Sequence, residues 1–185
     1  MIFEDTQPKT CSFFGHREIE ETQDLKQRLY ECIEDLILNN HVGTFLFGSR
    51  SDFNSLCLKT VSLLKEKYPE IKRVVYTCKS ETCFLEKDRE KWEKLLSRFG
   101  KPILTVDEEF EHKTKYTAGK AAYVERNKAM IDDSDFCVFY YDENYLPKMR
   151  KFSKSALSLY QPKSGTQIAY EYAKQKNKTI KNLLE

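Results

Sequence analysis

Two segments of the chain carry residue types that together bind phosphate groups. In the first, from Arg126 to Asp135, a helical pattern with a cation leads into a short apolar strand. In the second, Ser164-Gly165-Thr166 opens a helix with small residues and hydroxyls. Open α/β sheets hold phosphates at such helix N-termini, and an arginine at the same edge completes an anion site. The pattern predicts a site for a nucleotide-like ligand.

Further candidate ligand-binding residues follow the first two predicted strands: Gly15, His16 and Arg17 after the first, and Gly48 and Ser49 after the second. Open parallel sheets bind ligands beyond the carboxyl ends of their strands, where these residues would meet. The two glycines either let a ligand approach the backbone or serve only a tight turn. His16 donates a hydrogen bond to a phosphate, acts as an acid/base near neutral pH, caps the following helix or bonds a backbone carbonyl. Ser49 is alternatively a helix N-cap.

Apolar runs alternate with helical periodicity along the whole chain. The runs predict strands over residues 10–15, 44–48, 71–78, 102–106, 135–141 and 179–184, and the periodicity predicts helices over 20–39, 52–67, 86–99, 120–133 and 165–176. Strands separated by such helices indicate βαβ units with right-handed crossovers. We predict one Rossmann-like, doubly wound α/β domain over residues 1–185, with a mainly parallel sheet of five to six strands and helices on both faces.

Residues 142–163 fit none of these elements and separate the fifth predicted strand from the Ser164 turn. Loops of more than about 12–15 residues without structure are uncommon and are often functional. The segment is mainly basic, with Lys148, Arg150, Lys151, Lys154 and Lys163 against Asp142 and Glu143. It is either a lid that closes over an anionic ligand or a solvated surface loop, and the sequence favours neither.

The overall charge argues against a dedicated nucleic-acid-binding protein. The 185 residues include 31 basic and 29 acidic side chains, a net charge of +2, whereas such proteins usually show a marked basic excess.

The sequence shows no signal for a membrane protein. It contains no run of about 18 apolar residues, which a transmembrane helix would need. The first residues lack the basic and apolar regions of a signal peptide. We therefore expect a cytoplasmic protein without a membrane partner.

The six cysteines are scattered over positions 11, 32, 57, 78, 83 and 137, without a C-x-x-C pair. Four of them lie in apolar runs with strand or helix patterns: Cys11, Cys32, Cys57 and Cys137. Buried free thiols in a reducing compartment are the expected state. Neither a metal site nor a definite cofactor is predicted.

At these residues the chain resembles the SLOG superfamily, which includes the "lonely guy" phosphoribohydrolases. Their signature is similar to R-K-x-x-M-x-x-x-A-D-x-x-I-x-L-P-G-G-x-G-T-x-x-E. Arg126, Met130 and Asp135 keep its spacing, and Gly165-Thr166 matches its G-T.

The resemblance is closer to the YpsA-like branch of this superfamily. The matching motifs follow the same order over roughly residues 10–184: Gly15-His16-Arg17, Phe45 to Phe53, Arg126-Asn127 to Ser134-Asp135, and Ser164 to Ala173. The resemblance implies a Rossmann-like fold that binds a small nucleotide derivative. Because relatives pair through helices, it also implies a homodimer.

Two departures from the hydrolase signature concern catalysis. The catalytic glutamate of the hydrolases falls on Ala169, and the 142–163 segment stands where they have Pro-Gly-Gly. The resemblance therefore implies binding or sensing of NAD, ADP-ribose or a cyclic relative, in signalling or ligand sequestration, more than catalysis. Tyr140, Tyr141 or Tyr145 would stack on the rings of the ligand.

Two alternative functions stay open. A hydrolase of N-glycosidic or phosphate bonds would need an acid/base, for which the candidates are Glu81, Glu125, Asp142 and His16. A single-stranded nucleic-acid-associated protein, as in a related SLOG branch, would use the basic loop together with Lys174, Lys176, Lys178 and Lys181.

Overall fold

Six parallel strands form one sheet in the computed structural model, which describes residues 7–48, 51–79, 106–117 and 119–184. In chain order the elements are β1 (Lys9–Gly15), α1 (Gln23–Asn40), β2 (Val42–Phe47), α2 (Asp52–Lys67), β3 (Lys72–Cys78), β4 (Glu108–His112), α3 (Gly119–Asp132), β5 (Phe136–Tyr140), β6 (Arg150–Lys151), β7 (Leu159–Tyr160), α4 (Gly165–Gln175) and β8 (Thr179–Asn182). The predicted Rossmann-like α/β class is confirmed. Within the described ranges, no helix is long and apolar enough to cross a membrane.

The strand order creates a topological switch point in the middle of the sheet. The sheet runs β4-β3-β2-β1-β5-β8, and all neighbouring pairs are parallel. The chain builds outward from β1 to β4 and then returns to the other side of β1 for β5. Sheets of this kind bind ligands in the crevice outside the carboxyl ends of the strands, at the point where the order reverses.

Neighbouring residues of the central strands supply two hydrophobic cores, one on each face of the sheet. Phe13 and Phe45 belong to the core that contains the buried faces of α1 and α2. Their neighbours Phe14 and Leu46 belong to the core that contains residues of α3 and α4. Successive side chains of a strand point to opposite faces, so a strand that is apolar throughout is covered by helices on both sides.

Three residues of the motif between 126 and 135 have structural roles. Met130 of α3 is fully buried in the core between α3, α4 and the sheet. Ser134 Oγ donates to the Met130 carbonyl at 2.6 Å. Asp135 pairs with Thr10 at the start of β1: its Oδ2 accepts from the Thr10 N–H at 2.9 Å, and its own N–H donates to the Thr10 carbonyl at 2.8 Å. This two-way pairing sets the start of β5 beside β1.

Most element boundaries differ from the sequence prediction by one or two residues, and two elements differ more. Helix α1 begins at Gln23 rather than at residue 20, because Thr22 Oγ1 accepts from the Leu25 N–H at 3.1 Å and caps it. The predicted helix 86–99 and residues 102–105 of the predicted fourth strand lie outside the described residues, and Val106 is not in a strand. The described fourth strand is β4, whose exposed, mostly acidic residues lack the apolar run that predicts a strand.

The segment 142–163, which we call the ribbon segment, contains secondary structure of its own. Strands β6 and β7 pair antiparallel, with Arg150 opposite Tyr160 and Lys151 opposite Leu159. The rings of Phe152 and Tyr160 stack at a centroid distance of 4.4 Å. The segment therefore contains a short two-stranded ribbon within a longer loop.

We expect Gly15→Ala to lower the free energy of unfolding by about 1–3 kcal/mol, the usual cost of overpacking a core. A Cβ at position 15 would lie 2.5 Å from three atoms of Phe53, a fully buried side chain of α2. Urea unfolding followed by circular dichroism measures the change. Gly165→Ala is the matched control, because a Cβ at that position meets no atom within 4 Å. Equal stability of Gly15→Ala and wild type would contradict this packing.

Candidate functional site

A cavity of about 570 Å³ opens at the carboxyl end of β1. Its walls come from five parts of the chain: the residues around the end of β1, the start of α2, the first two turns of α3, the ribbon segment and the start of α4. A cleft of this volume is in the range that holds small-molecule ligands. It lies where the strand order predicts a binding crevice.

Most of the predicted binding residues lie around this cavity. Seven of the nine line it: Gly15, His16, Arg17, Arg126, Ser164, Gly165 and Thr166. Gly48 lies behind the cavity wall, against the guanidinium group of Arg126. Ser49 lies outside the described residues. The structure thus brings together residues from three distant segments of the chain.

Arg126 is buried, with 4% of its surface exposed, whereas the other cationic residues that line the cavity are exposed. Its Nη2 donates to Asn127 Oδ1 at 3.0 Å, and its guanidinium carbon lies 5.3 Å from the centre of the Tyr123 ring. Arg126 precedes the buried Met130 by about one turn of α3, so the packing of Met130 determines which way this side of the helix faces. An anion that reaches Arg126 would meet a positive charge with little surrounding water, where electrostatic attraction is stronger.

The absence of a side chain at Gly48 makes room for Arg126. A Cβ at position 48 would lie 3.0 Å from Nη2 and 3.4 Å from Cζ of Arg126. The Gly48 N–H donates to Asn54 Oδ1 at 3.0 Å, and Asn54 Nδ2 donates to Oγ of Ser51, the N-cap of α2, at 3.0 Å. The sequence prediction misses Asn54, which also lines the cavity. Its signal, an asparagine in the first turn of a helix, is not specific.

His16 joins the ends of β1 and β5 at the switch point. Its Nε2 accepts from the backbone N–H of Asp142 at 3.0 Å, a contact different from the helix cap and from the bond to a backbone carbonyl considered from the sequence. Burial lowers the pKa of His16 from its ordinary value of 6.5, and the charge of Asp142 offsets part of this shift. A neutral imidazole whose Nε2 accepts carries its proton on Nδ1. Among the described residues, that buried Nδ1 has no hydrogen-bond partner.

One of the three tyrosines proposed for ring stacking lines the cavity. Tyr145 lies against His16 with a centroid distance of 4.2 Å, and 45% of its surface is exposed. Tyr140 stacks on Phe53 at the edge of the first core, and Tyr141 packs against Tyr170 beside the second. The rings of Tyr140 and Tyr141 therefore serve packing, and of the three rings the one at the cavity is that of Tyr145.

The start of α4 exposes backbone to the cavity. Ser164 is its N-cap, with Oγ accepting from the Gln167 N–H at 2.9 Å, so this hydroxyl already serves the helix. The side chain of Thr166 is buried. Beside Gly165 the space is open, because a Cβ there would meet no protein atom within 4 Å. The positive end of a helix with accessible N–H groups attracts anions.

The cavity is strongly cationic. Six of its described lining residues are basic and Glu18 is the one acidic residue among them. The basic residues are Arg17, Lys120, Arg126, Lys148, Arg150 and Lys163. The charge of Lys163 is balanced, because its Nζ pairs with Glu171 at 2.7 Å. A cleft with an excess of one sign concentrates ligands of the opposite sign. Lys120 was not predicted, because a lysine at the start of a helix is not a specific signal.

Few of the described carboxylates are placed for acid/base chemistry in the cavity. Ala169, at the position of the hydrolase glutamate, is 2% exposed and belongs to the second core. Of the acid/base candidates, Glu125 accepts from the Tyr116 N–H at 3.3 Å, and Glu81 lies outside the described residues. Asp142 does not line the cavity, whereas His16 does.

The lysines suggested for nucleic-acid binding make contacts within the protein. Lys174 lies over the ring of Tyr170, Lys176 pairs with Asp132, Lys178 donates to the carbonyls of Asp132 and Ser134, and Lys181 pairs with Asp35. Their charges are therefore partly balanced inside the fold.

Comparison with known proteins identifies the family of the chain. A family model described as the YspA SLOG family, under the name YpsA, matches residues 8–175. The chain belongs to the YpsA family of SLOG proteins. A YpsA-like relative in Bacillus subtilis (strain 168), named "Uncharacterized SPbeta prophage-derived protein YoqJ", is 27% identical over 155 residues, which cover 81% of this chain and 80% of the relative. Membership of the YpsA family confirms the resemblance and indicates a nucleotide-related function.

We expect the stability contributed by neutral His16 to be lost as the pH falls. Because burial lowers its pKa in the folded protein, the unfolded chain takes up the proton first. The contribution is therefore complete above the unfolded pKa and declines towards the folded one. His16→Gln can still accept from the Asp142 N–H but does not titrate. Urea unfolding at several pH values should show wild-type stability falling relative to this variant between about pH 7 and pH 5, by at most about 1.4 kcal/mol per pH unit. A constant difference would contradict this expectation.

Proposed function

We propose that the protein binds a nucleotide-derived ligand in the cavity at the carboxyl edge of its sheet. The observation that carries this proposal is the convergence of a buried arginine, Arg126, with the open N-terminus of α4 at Gly165. An arginine fork and helix N–H groups are the donors that proteins use for phosphate. The phosphate of the ligand would lie between these two groups.

The ring of the ligand would lie towards the ribbon segment. Tyr145 and His16 form an aromatic pair at the cavity, and Tyr145 is half exposed. The flat face of a nucleobase or nicotinamide packs well on such a surface.

Binding fits this site better than hydrolysis does. Hydrolysis of an N-glycosidic bond needs an acid/base group at the reacting atoms. Among the described lining residues, Glu18 is the one with a carboxylate group, and its side chain is exposed. We therefore propose a role in ligand sensing or sequestration. The prophage origin in the name of the relative is compatible with sequestration.

Arg126→Gln is expected to weaken binding by about 10- to 100-fold, because it removes a charge-assisted hydrogen bond from a buried position. Isothermal titration calorimetry with NAD, ADP-ribose, AMP and cyclic AMP would measure the effect. Lys128→Gln is the matched control: it removes one positive charge from the same helix, where Lys128 lies over the ring of Tyr172. Absence of binding to every compound by wild type would refute the proposal.

Gly165→Ala is expected to weaken binding of the same ligands by at least about 10-fold while leaving stability unchanged or slightly higher. The added methyl group meets no protein atom within 4 Å, so it would occupy space that the ligand needs. Thermal unfolding of the same samples separates the two effects. Unchanged affinity in this variant would place the ligand away from the start of α4.

Chromatography of the titrated samples distinguishes binding from turnover. We expect every nucleotide to be recovered intact after incubation. Release of a free base or of ribose phosphate would reassign the protein to the nucleotide-processing hydrolases, with His16→Gln as the first variant to test.

A further inference from the structure

Three cations at the mouth of the cavity are not explained by a single phosphate bound to Arg126 and Gly165. Lys148 and Arg150 of the ribbon segment and Lys120 of α3 all line the cavity and are exposed. Within the part of the chain that the structure describes, none of the three forms an ion pair with a carboxylate. These three side chains therefore give the mouth of the cavity a positive charge that no neighbouring carboxylate in the described residues compensates.

Lys120 and Arg150 are close enough to influence each other. The Nζ of Lys120 donates to the carbonyl of Lys163, which holds the start of α3 against the end of the ribbon segment. Partial burial of the ammonium group, together with the nearby charge of Arg150, lowers the pKa of Lys120. Like charges held near each other repel, and an anion between them would turn this repulsion into attraction.

The cations of the mouth and Arg126 enter the cavity at different levels of α3. Lys120 precedes Arg126 by six residues, which corresponds to about 9 Å along the helix axis. A phosphate monoester carries about two negative charges at most, so one phosphate bound to Arg126 would leave part of the positive charge of Lys120, Lys148 and Arg150 uncompensated. Their long side chains can reach a second negative group that is joined to the first.

We propose that Lys120 and Arg150, with Lys148 beside them, form a second anion subsite, so that the ligand carries two linked phosphates. The ligand class is then a nucleoside diphosphate or a diphosphate-bridged dinucleotide, not a nucleoside monophosphate. This inference rests on the proposed function, because the first phosphate is the one bound by Arg126. The ribbon segment thereby becomes part of the binding site.

Calorimetry of the full chain with AMP and with ADP tests the second subsite. Wild type should bind ADP about 10-fold or more tightly than AMP, since the second phosphate adds charge-assisted hydrogen bonds. The double variant Lys120→Gln/Arg150→Gln should lose most of this preference. Its affinity for ADP should fall by about 10-fold, while its affinity for AMP should change by less than about two-fold.

The matched control is Lys128→Gln/Lys151→Gln. Like the test variant, it removes one positive charge from α3 and one from β6. Neither Lys128 nor Lys151 lines the cavity. Lys151 neighbours Arg150 in β6, so its side chain points to the other face. This control should keep the wild-type preference for ADP, whereas a general effect of net charge would weaken ADP binding in both double variants.

Two results would overturn the second subsite while nucleotide binding stands: equal affinities of wild type for AMP and ADP, or a wild-type preference for ADP that survives in Lys120→Gln/Arg150→Gln. Failure of the proposed function looks different, because wild type would then bind neither nucleotide. Arg126→Gln provides the complementary pattern, since it should weaken AMP and ADP by similar factors.

Discussion

The pairing of β1 with β5 is the constraint on which the site depends. The two strands run parallel with Gly15 opposite Tyr140, and the mutual hydrogen bonds of Thr10 and Asp135 set the start of this register. Because both strands end at the same level, His16 can accept from the N–H of Asp142 just beyond them. A shift of one residue would turn the side chains of β5 to the opposite face and separate these groups.

The two cores allow this edge of the sheet to keep polar groups that reduce stability. His16, Arg126 and Thr166 are all buried although they are polar, and burying such groups without full hydrogen bonding costs free energy. Phenylalanines of β1 and β2 fill the faces behind them. Groups that break the usual pattern of burial tend to mark functional sites, where a ligand completes their contacts.

Much of the cavity lining could be predicted from the sequence, because parallel strands bring their carboxyl ends to one edge. Gly15, His16 and Gly165 were found in this way. The roles of several residues needed the structure: Gly15 makes room for Phe53, and the hydroxyl of Ser164 caps α4. Asn54 and Lys120 were not predicted as cavity residues, because asparagine and lysine are common in the first turn of any helix. Strand β4 was not predicted because an exposed acidic strand at the edge of a sheet has no apolar run.

Local patterns in the amino-acid sequence were sufficient for the α/β class, for most helices and strands, and for the family, since each depends on residues that are near one another along the chain. Tertiary structure decided that Arg126 is buried against Gly48 and that Lys120 and Arg150 line the same cavity. It also packed Tyr140 and Tyr141 against the two cores and left Tyr145 at the cavity. The physical reason is that side-chain periodicity is a local property, whereas distances between elements follow from strand order and from the packing of helices on the sheet.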